Sequence, residues 1–388
     1  MSVVQLGAAT PHTAPPASPT DLLSLFDPRR MPVFVGTRPE RVPAQLGLDD
    51  RFIVTSDADV LVNVCRHESR PLFTRDARTA VANDACLVCP HHRWRYDLEG
   101  AYVSGQRAEE GCDLAPRDLI RVQSIEWNGF VFAVADEATG AAFLAHLGDY
   151  DRHLRAAGID APDLAHWEAW GQPSVDRYEH ASVRHFFEVF GDDKHVPVVH
   201  PGLASFADCR AMTWFTTEIG HAQVLPFPAG ALERAADQDK DDHDRWLYAQ
   251  WIIALAEHRE RLGLGRGLPP RAVVWAGIYP GLMMEFYSDL LALSMVRPNL
   301  DGRGCTNVVQ FYVPKGMADV SPGLPDTMID AFLFTAEQDQ ALVESLAIGE
   351  MTMASLGLES RYEPDVLSRN TLELGVAHYH DWLRAQFN

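Results

Sequence analysis

Two short segments of the chain each pair a cysteine with a histidine. In "VCRH" they are Cys65 and His67, spaced C-x-H; in "CPHH" they are Cys89 and His92, spaced C-x-x-H, with 21 residues between the pairs. Each pair ends a short apolar run and precedes turn residues, so both read as loops of β-hairpins. A fold that joins the loops presents two thiolates and two imidazoles together. Zinc accepts that set in a tetrahedral site. So does a [2Fe–2S] cluster with two cysteines on one iron and two histidines on the other. The partition favours the cluster, because each loop supplies one of each ligand type, whereas zinc fingers group like with like. Cys86 forms C-x-x-C with Cys89, which leaves a zinc site of Cys65, His67, Cys86 and Cys89 open. Its place in the run "ACLVCP" suits a buried small side chain better.

The chain around these loops is long and acidic. Its 388 residues, with 33 basic and 54 acidic side chains and a net charge of −21, carry no basic run to bind nucleic acid or an anionic membrane. No stretch of about 18 apolar residues suggests a membrane span. The first residues lack a secretory signal pattern, so a cytoplasmic location is expected. Six cysteines in so long a chain do not suggest a disulfide framework. Residues 1–25, rich in Pro, Ala and Thr, read as a disordered tail, with a short helix able to begin near Asp21. Residues 30–150 read as a small all-β domain, 137–175 as a mainly helical connector, and 176–388 as a mixed domain of strands and helices.

A second constellation lies in "FFEVFGDDKHVPVVHPGL", where Asp192, His195 and His200 form D-x-x-H-x-x-x-x-H. The prolines between and after the histidines suit a helix that breaks into a loop. Two histidines and a carboxylate hold non-haem iron(II) and leave open positions. Alone, the pattern is weak, and paired core or surface histidines are the better reading of it.

Taken together, the motifs resemble the α subunits of Rieske non-haem iron oxygenases. "CPHHRWRYDLEGAYV" is similar to the second Rieske loop, C-P-x-H followed by aromatic-x-aromatic and a D-x-x-G turn. That likeness implies Cys65, His67, Cys89 and His92 as ligands of a [2Fe–2S] cluster and leaves His91 outside it. In the second domain it implies His195 and His200 as ligands of mononuclear Fe(II), with Asp192 linking the two centres. The third ligand is implied to be an acid on a late helix, and "FTAEQDQALVESLAIGE" offers Glu337, Asp339, Glu344 and Glu350. Asp339 fits the family setting, and on a helix it shares a face with Leu342, Val343 and Leu346, while Glu337 points away. Departures are Val189 and Lys194, where the family commonly has Asn and Tyr, and a longer spacing between the cluster pairs.

The resemblance implies an α+β chain, an N-terminal all-β Rieske domain followed by a helix-grip catalytic domain. It implies a head-to-tail homotrimer fed by a ferredoxin and/or a flavin reductase, with Asp192 reaching the neighbouring subunit's Rieske histidine. Within the family the chain looks most like the α-only branch of choline and betaine monooxygenases and demethylases. The expected activity is O2-dependent hydroxylation, or N- or O-demethylation, of a small organic substrate. Alternatives are an aromatic ring-hydroxylating dioxygenase, a Rieske electron carrier without oxygenase activity, and a zinc-stabilised interaction module. Candidate pocket walls are Trp214, Phe215, Tyr279, Met283, Phe286 and Phe311. Arg66, Arg70, Arg75, Arg78, Arg93 and Arg95 outnumber the acids Glu68, Asp76 and Asp84 around the cluster loops, which suits docking of an acidic electron carrier.

Overall fold

The computed structural model describes residues 19–75, 86–105, 117–287, 289–358 and 372–387. The chain before residue 19 and the segment 76–85, with Asp76, Arg78 and Asp84, lie outside the described residues. Helix α1 (Pro19–Ser24) falls within the segment expected as tail, and the residues around it, Leu22, Leu25 and Phe26, are buried in the main core.

Short β-branched and aromatic runs form ten strands: β1 (Val33–Thr37), β2 (Ala44–Leu46), β3 (Phe52–Thr55), β4 (Val60–Val62), β5 (Leu87–Val88), β6 (Arg95–Tyr96), β7 (Tyr102–Ser104), β8 (Arg121–Val122), β9 (Ser124–Trp127) and β10 (Phe130–Ala133). They build three antiparallel sheets, ordered β1-β10-β9, β2-β3-β4-β8 and β5-β6-β7. The first two press Val35, Val54, Val60 and Val131 into one apolar layer. Asn128 and Gly129, with φ of 53° and 87°, turn β9 into β10. Positive φ at both central positions is what a tight hairpin requires and Asn-Gly supplies. The sheet β5-β6-β7 carries the second cluster loop between β5 and β6, the first loop follows β4, and the two sheets share the core of Ile53, Leu61, Leu87 and Tyr96.

Asp136 caps helix α2 (Glu137–Ala156) by accepting from the Thr139 amide. The helix buries Phe143, Leu147, Tyr150 and Leu154, a 3.6-residue stripe. Beyond it the connector expected over 137–175 gives way early. Strand β11 (Trp167–Tyr178) already pairs with the catalytic sheet, so that sheet begins upstream of residue 176. A bulge between Trp170 and Ser174, at Gly171 and Pro173, breaks the strand's alternation and disguised it in the sequence.

Six further strands are β12 (Thr213–Thr217), β13 (Gly220–Leu225), β14 (Val273–Ile278), β15 (Leu282–Tyr287), β16 (Leu291–Pro298) and β17 (Cys305–Pro314). The antiparallel sheet runs β11-β17-β16-β15-β14-β13-β12. Strands β13, β14 and β16 are buried throughout, which explains their largely apolar character. The remaining helices are α3 (Val183–Phe190), α4 (Val196–Val199), α5 (Pro201–Phe206), α6 (Ala231–Ala236), α7 (His243–Arg261), α8 (Met317–Val320), α9 (Leu324–Ser355) and α10 (Leu374–Phe387). The chain is thus α+β, as expected. None of its described helices is long and apolar enough to cross a membrane.

Candidate metal centres and active site

The two cluster loops are copies of one turn. Cys65 N donates to Arg70 O and Ser69 N to Cys65 O; Cys89 N donates to Trp94 O and Arg93 N to Cys89 O. Ser69 and Arg93 both sit at φ 58°, closing the turns in the left-handed region. The repeat puts Cys65 and Cys89 in equivalent buried positions. Burial, then a hydrogen bond to the Cys65 thiol, pushes the Cys89 thiol up. Both imidazoles lie at the other end, with Nδ1 of His67 and Nδ1 of His92 3.0 Å apart. Each ring therefore turns its Nε2 away from its partner. Tyr96 Oη lies 3.3 Å from Cys65 Sγ and accepts from the Arg66 amide. Trp94 stacks on the His67 ring at 4.7 Å.

Two thiols at one end and two imidazoles at the other suit two irons with different ligands. A single zinc holds its ligands within about 4 Å of one another. Among the described residues, no cysteine joins a set of three such ligand atoms within 4.8 Å, which removes the geometry of the zinc alternative with Cys86. His91 lies outside the pair, its Nε2 3.4 Å from Glu68.

The second site forms where α3 stops. Gly191 ends the helix, and a Cβ there would meet the Val376 amide at 2.8 Å, so only glycine lets the start of α10 close on the turn. Backbone and ion-pair ties follow, from Asp193 N to Leu372 O at 2.8 Å and from Lys194 Nζ to Glu373 at 2.7 Å. Lys194, a departure from the family pattern, thus fastens the turn from outside. His195 precedes α4 and His200 separates α4 from α5. Helix α9 brings Asp339 to meet them. Its Oδ1 lies 2.8 Å from His200 Nε2 and 3.3 Å from His195 Nε2.

Electrostatics mark the triad. Burial works against charge on Asp339, but both histidines outweigh it and hold the carboxyl below its usual range. Burial likewise opposes a charged His195, yet the carboxylates of Asp192 and Asp339 raise its imidazole to about 9. A divalent cation takes the place of that proton in such a donor set. Asp192 accepts from the Lys194 amide at 2.8 Å and stands 3.8 Å from His195 Nδ1.

Three supporting residues escaped the sequence reading. Gln338 Oε1 lies 2.6 Å from His200 Nδ1, which fixes the ring with Nε2 toward Asp339. Asp193, pushed well up by burial, accepts from Gln223 at 2.9 Å. The doubled acid in "GDDKH" and the Gln beside Asp339 were the only sequence signals for these contacts. Of the other late acids, Glu337 is exposed, Glu344 lies toward Tyr178 and Cys305, and Glu350 binds Arg184 and His185. Burial opposes charge on Glu350, but His185 and Arg184 hold its carboxyl down at about 2.

A cavity of about 250 Å³ opens beside the triad, between α3, α9 and the sheet, and Asp339 forms part of its wall. Phe332, Ala336, Asp339 and Val343 share the α9 stripe that faces it. Of the six residues expected as pocket walls, Met283 alone lines it. Phe286 and Phe311 are core. Phe215 packs on Tyr150, Tyr279 on Phe187, and Trp214 is partly exposed. Composition showed these side chains to be apolar; only topology decides which strand face they occupy.

Comparison with known proteins now bears on these two centres. The family described as ring hydroxylating alpha subunit (catalytic domain) matches residues 185–388, and the Rieske [2Fe-2S] domain matches residues 40–124. The chain belongs to this family of Rieske oxygenase alpha subunits. Its relatives include a putrescine 2-hydroxylase of Ralstonia nicotianae, 28% identical over 84% of this chain and 78% of the relative. A chloroplastic choline monooxygenase of Beta vulgaris is 24% identical over 83% of this chain and 62% of the relative. Among solved structures, a quaternary ammonium Rieske monooxygenase shares the fold with a TM-score of 0.65 at 15% identity, over 92% of this chain and 89% of that one. Naphthalene 1,2-dioxygenase shares it at 0.63 and 18%, over 94% and 88%. This Rieske oxygenase is therefore an oxidoreductase whose domains are those of a [2Fe–2S] cluster and a mononuclear iron centre.

Proposed function

We propose that the chain is the terminal oxygenase component of a cytoplasmic system, hydroxylating or N-/O-demethylating a small organic substrate with O2. Its electrons come from a ferredoxin and/or a flavin reductase. Cys65, His67, Cys89 and His92 hold the cluster, and His195, His200 and Asp339 hold the iron. The observation that carries the reading is the convergence of two histidine Nε2 atoms on one carboxylate oxygen, at 3.3 and 2.8 Å, beside a cavity of about 250 Å³. When bound, the two groups supply single-electron transfer and O2 activation.

The chain's own residues orient and shield that chemistry. Gln338 holds His200 in one ring orientation, so that its Nε2 stays aimed at the metal. Phe190 and Phe332 wall the triad and keep bulk water away from it. Asp192, next to His195, is a positioning residue placed to bond the Nε2 edge of His92 from a neighbouring subunit in a head-to-tail homotrimer. Beside it Val198 is 81% exposed on α4, an apolar surface that such a contact covers. The names of the relatives, a putrescine 2-hydroxylase and a choline monooxygenase, accord with the monooxygenase form of this reading over the aromatic dioxygenase form.

The test is O2 uptake by the iron-loaded protein with a ferredoxin and its reductase. Uptake that rises with substrate and matches product mole for mole supports the reading. A protein that passes electrons but couples no O2 to any product is an electron carrier instead.

A further inference from the structure

Among the described residues, every charged side chain facing the cavity is acidic. Asp176, Glu285, Glu337 and Asp339 line it, and no described lysine, arginine or histidine does. Glu337 is exposed at the mouth and Asp339 belongs to the iron triad, which leaves Asp176 and Glu285 without a role. We infer that the cavity takes an aliphatic diamine, with Asp176 and Asn307 receiving the N–H groups of one ammonium and Glu285 those of the other. The inference rests on the oxygenase reading, because it takes the cavity to be the substrate's seat.

Asp176 on β11 and Asn307 on β17 face each other directly across the ladder. Asn307 is only 9% exposed, and its side-chain oxygen has no hydrogen-bond partner. Asp176 has no ion pair among the described residues, and burial raises its carboxyl. A buried acceptor without a donor is costly, and Asn307 has the half-buried carboxylate of Asp176 beside it. An ammonium group carries the missing donors and the opposite charge. Quaternary ammonium groups carry no N–H and are held by aromatic faces alone, so they leave this oxygen unpaired. An anionic substrate meets only repulsion.

Glu285 sits on β15 and lines both the cavity and the triad's own pocket. Tyr287 donates to one of its oxygens at 3.0 Å, and among the described residues no cation pairs with it. Between the two acid positions the walls are mainly apolar, from Phe186, Val189, Met283 and Val309, with Ser294 the polar side chain among them. Asp176 and Glu285 lie three strands and four residues apart in the sheet register, a Cα separation on the order of 20 Å. With a carboxylate side chain and a hydrogen bond taking up part of that separation at each end, a methylene chain with nitrogen at both ends bridges what remains, and a compact ammonium does not.

Calorimetric titration of the metal-loaded protein tests this. The probes are α,ω-diamines of four to eight carbons, hexylamine, choline and benzoate. The best diamine is expected to bind at least about tenfold tighter than the other three, and Asp176→Asn and Glu285→Gln each to weaken it about 10- to 100-fold. Choline or benzoate binding as tightly as the best diamine overturns the inference, as does a diamine affinity unchanged in both variants. The visible spectrum of each variant reports that it has folded around its cluster. A wild-type protein lacking Rieske absorption bands and iron contradicts the oxygenase reading, whereas intact bands without diamine preference contradict this inference alone.

Discussion

The cluster loops draw all four candidate ligands from residues 65–92, whereas the iron triad joins His200 to an aspartate 139 residues downstream. The first site is one turn used twice, held by its own backbone hydrogen bonds. The second is held by its surroundings: a glycine stop, a strap from α10, and a long helix that supplies both Asp339 and Gln338. The local site is rigid by itself and separates soft thiolates from imidazoles. The assembled site sets Asp339 against a cavity, and its geometry depends on packing between distant elements. Damage to the one should therefore leave the other intact.

The largest expected effect comes from breaking the local site. Cys89→Ser should abolish the cluster and all turnover while the protein keeps its mononuclear iron. Electron paramagnetic resonance and metal analysis read both parts, and loss of both metals together would show that the sites are not independent. Next is the residue proposed to connect them. Asp192→Ala should retain cluster and iron yet lose coupled turnover on the order of 100-fold. Normal turnover in that variant refutes the bridging role.

The assembled site can be loosened without touching a ligand. Gln338→Leu frees the His200 ring and should weaken iron binding about 10- to 100-fold, measured by competition with a chelator, with the cluster spectrum unchanged. Unaltered iron affinity would mean that packing alone orients His200. The smallest effect concerns the surface of the local site. Arg70 and Arg93 are exposed beside the loops, while Arg75 turns inward to the carbonyls of Gly47 and Leu48. Reduction by an acidic ferredoxin should slow several-fold as salt rises and screens that docking. A rate flat in salt would remove the arginines from the contact.

The same contrast governs what could be read from the sequence. Cys65, His67, Cys89 and His92 lie close in sequence and carry their turn chemistry with them, so the loops were legible. His195, His200 and Asp192 share one helix break, a weak pattern that only the family resemblance picked out, and Asp339 came from the family setting together with its helix face; the structure brings His195, His200 and Asp339 together. Gln338 was not, because nothing local says which residue of α9 meets His200. The cavity walls were least legible. Phe286 and Phe311 look like pocket aromatics, yet the faces they occupy are set by strand order and register. Asp176 directly follows the segment read as connector, and the bulge at Gly171 and Pro173 hides the strand that carries it.

Iron and acid-labile sulfide content of the wild type and Asp339→Ala, measured side by side, bears most directly on two independent centres in one chain. The wild type should hold about three irons and two sulfides per chain, and the variant about two of each with the Rieske spectrum unchanged. Two irons in both proteins, or a cluster lost along with Asp339, would contradict it.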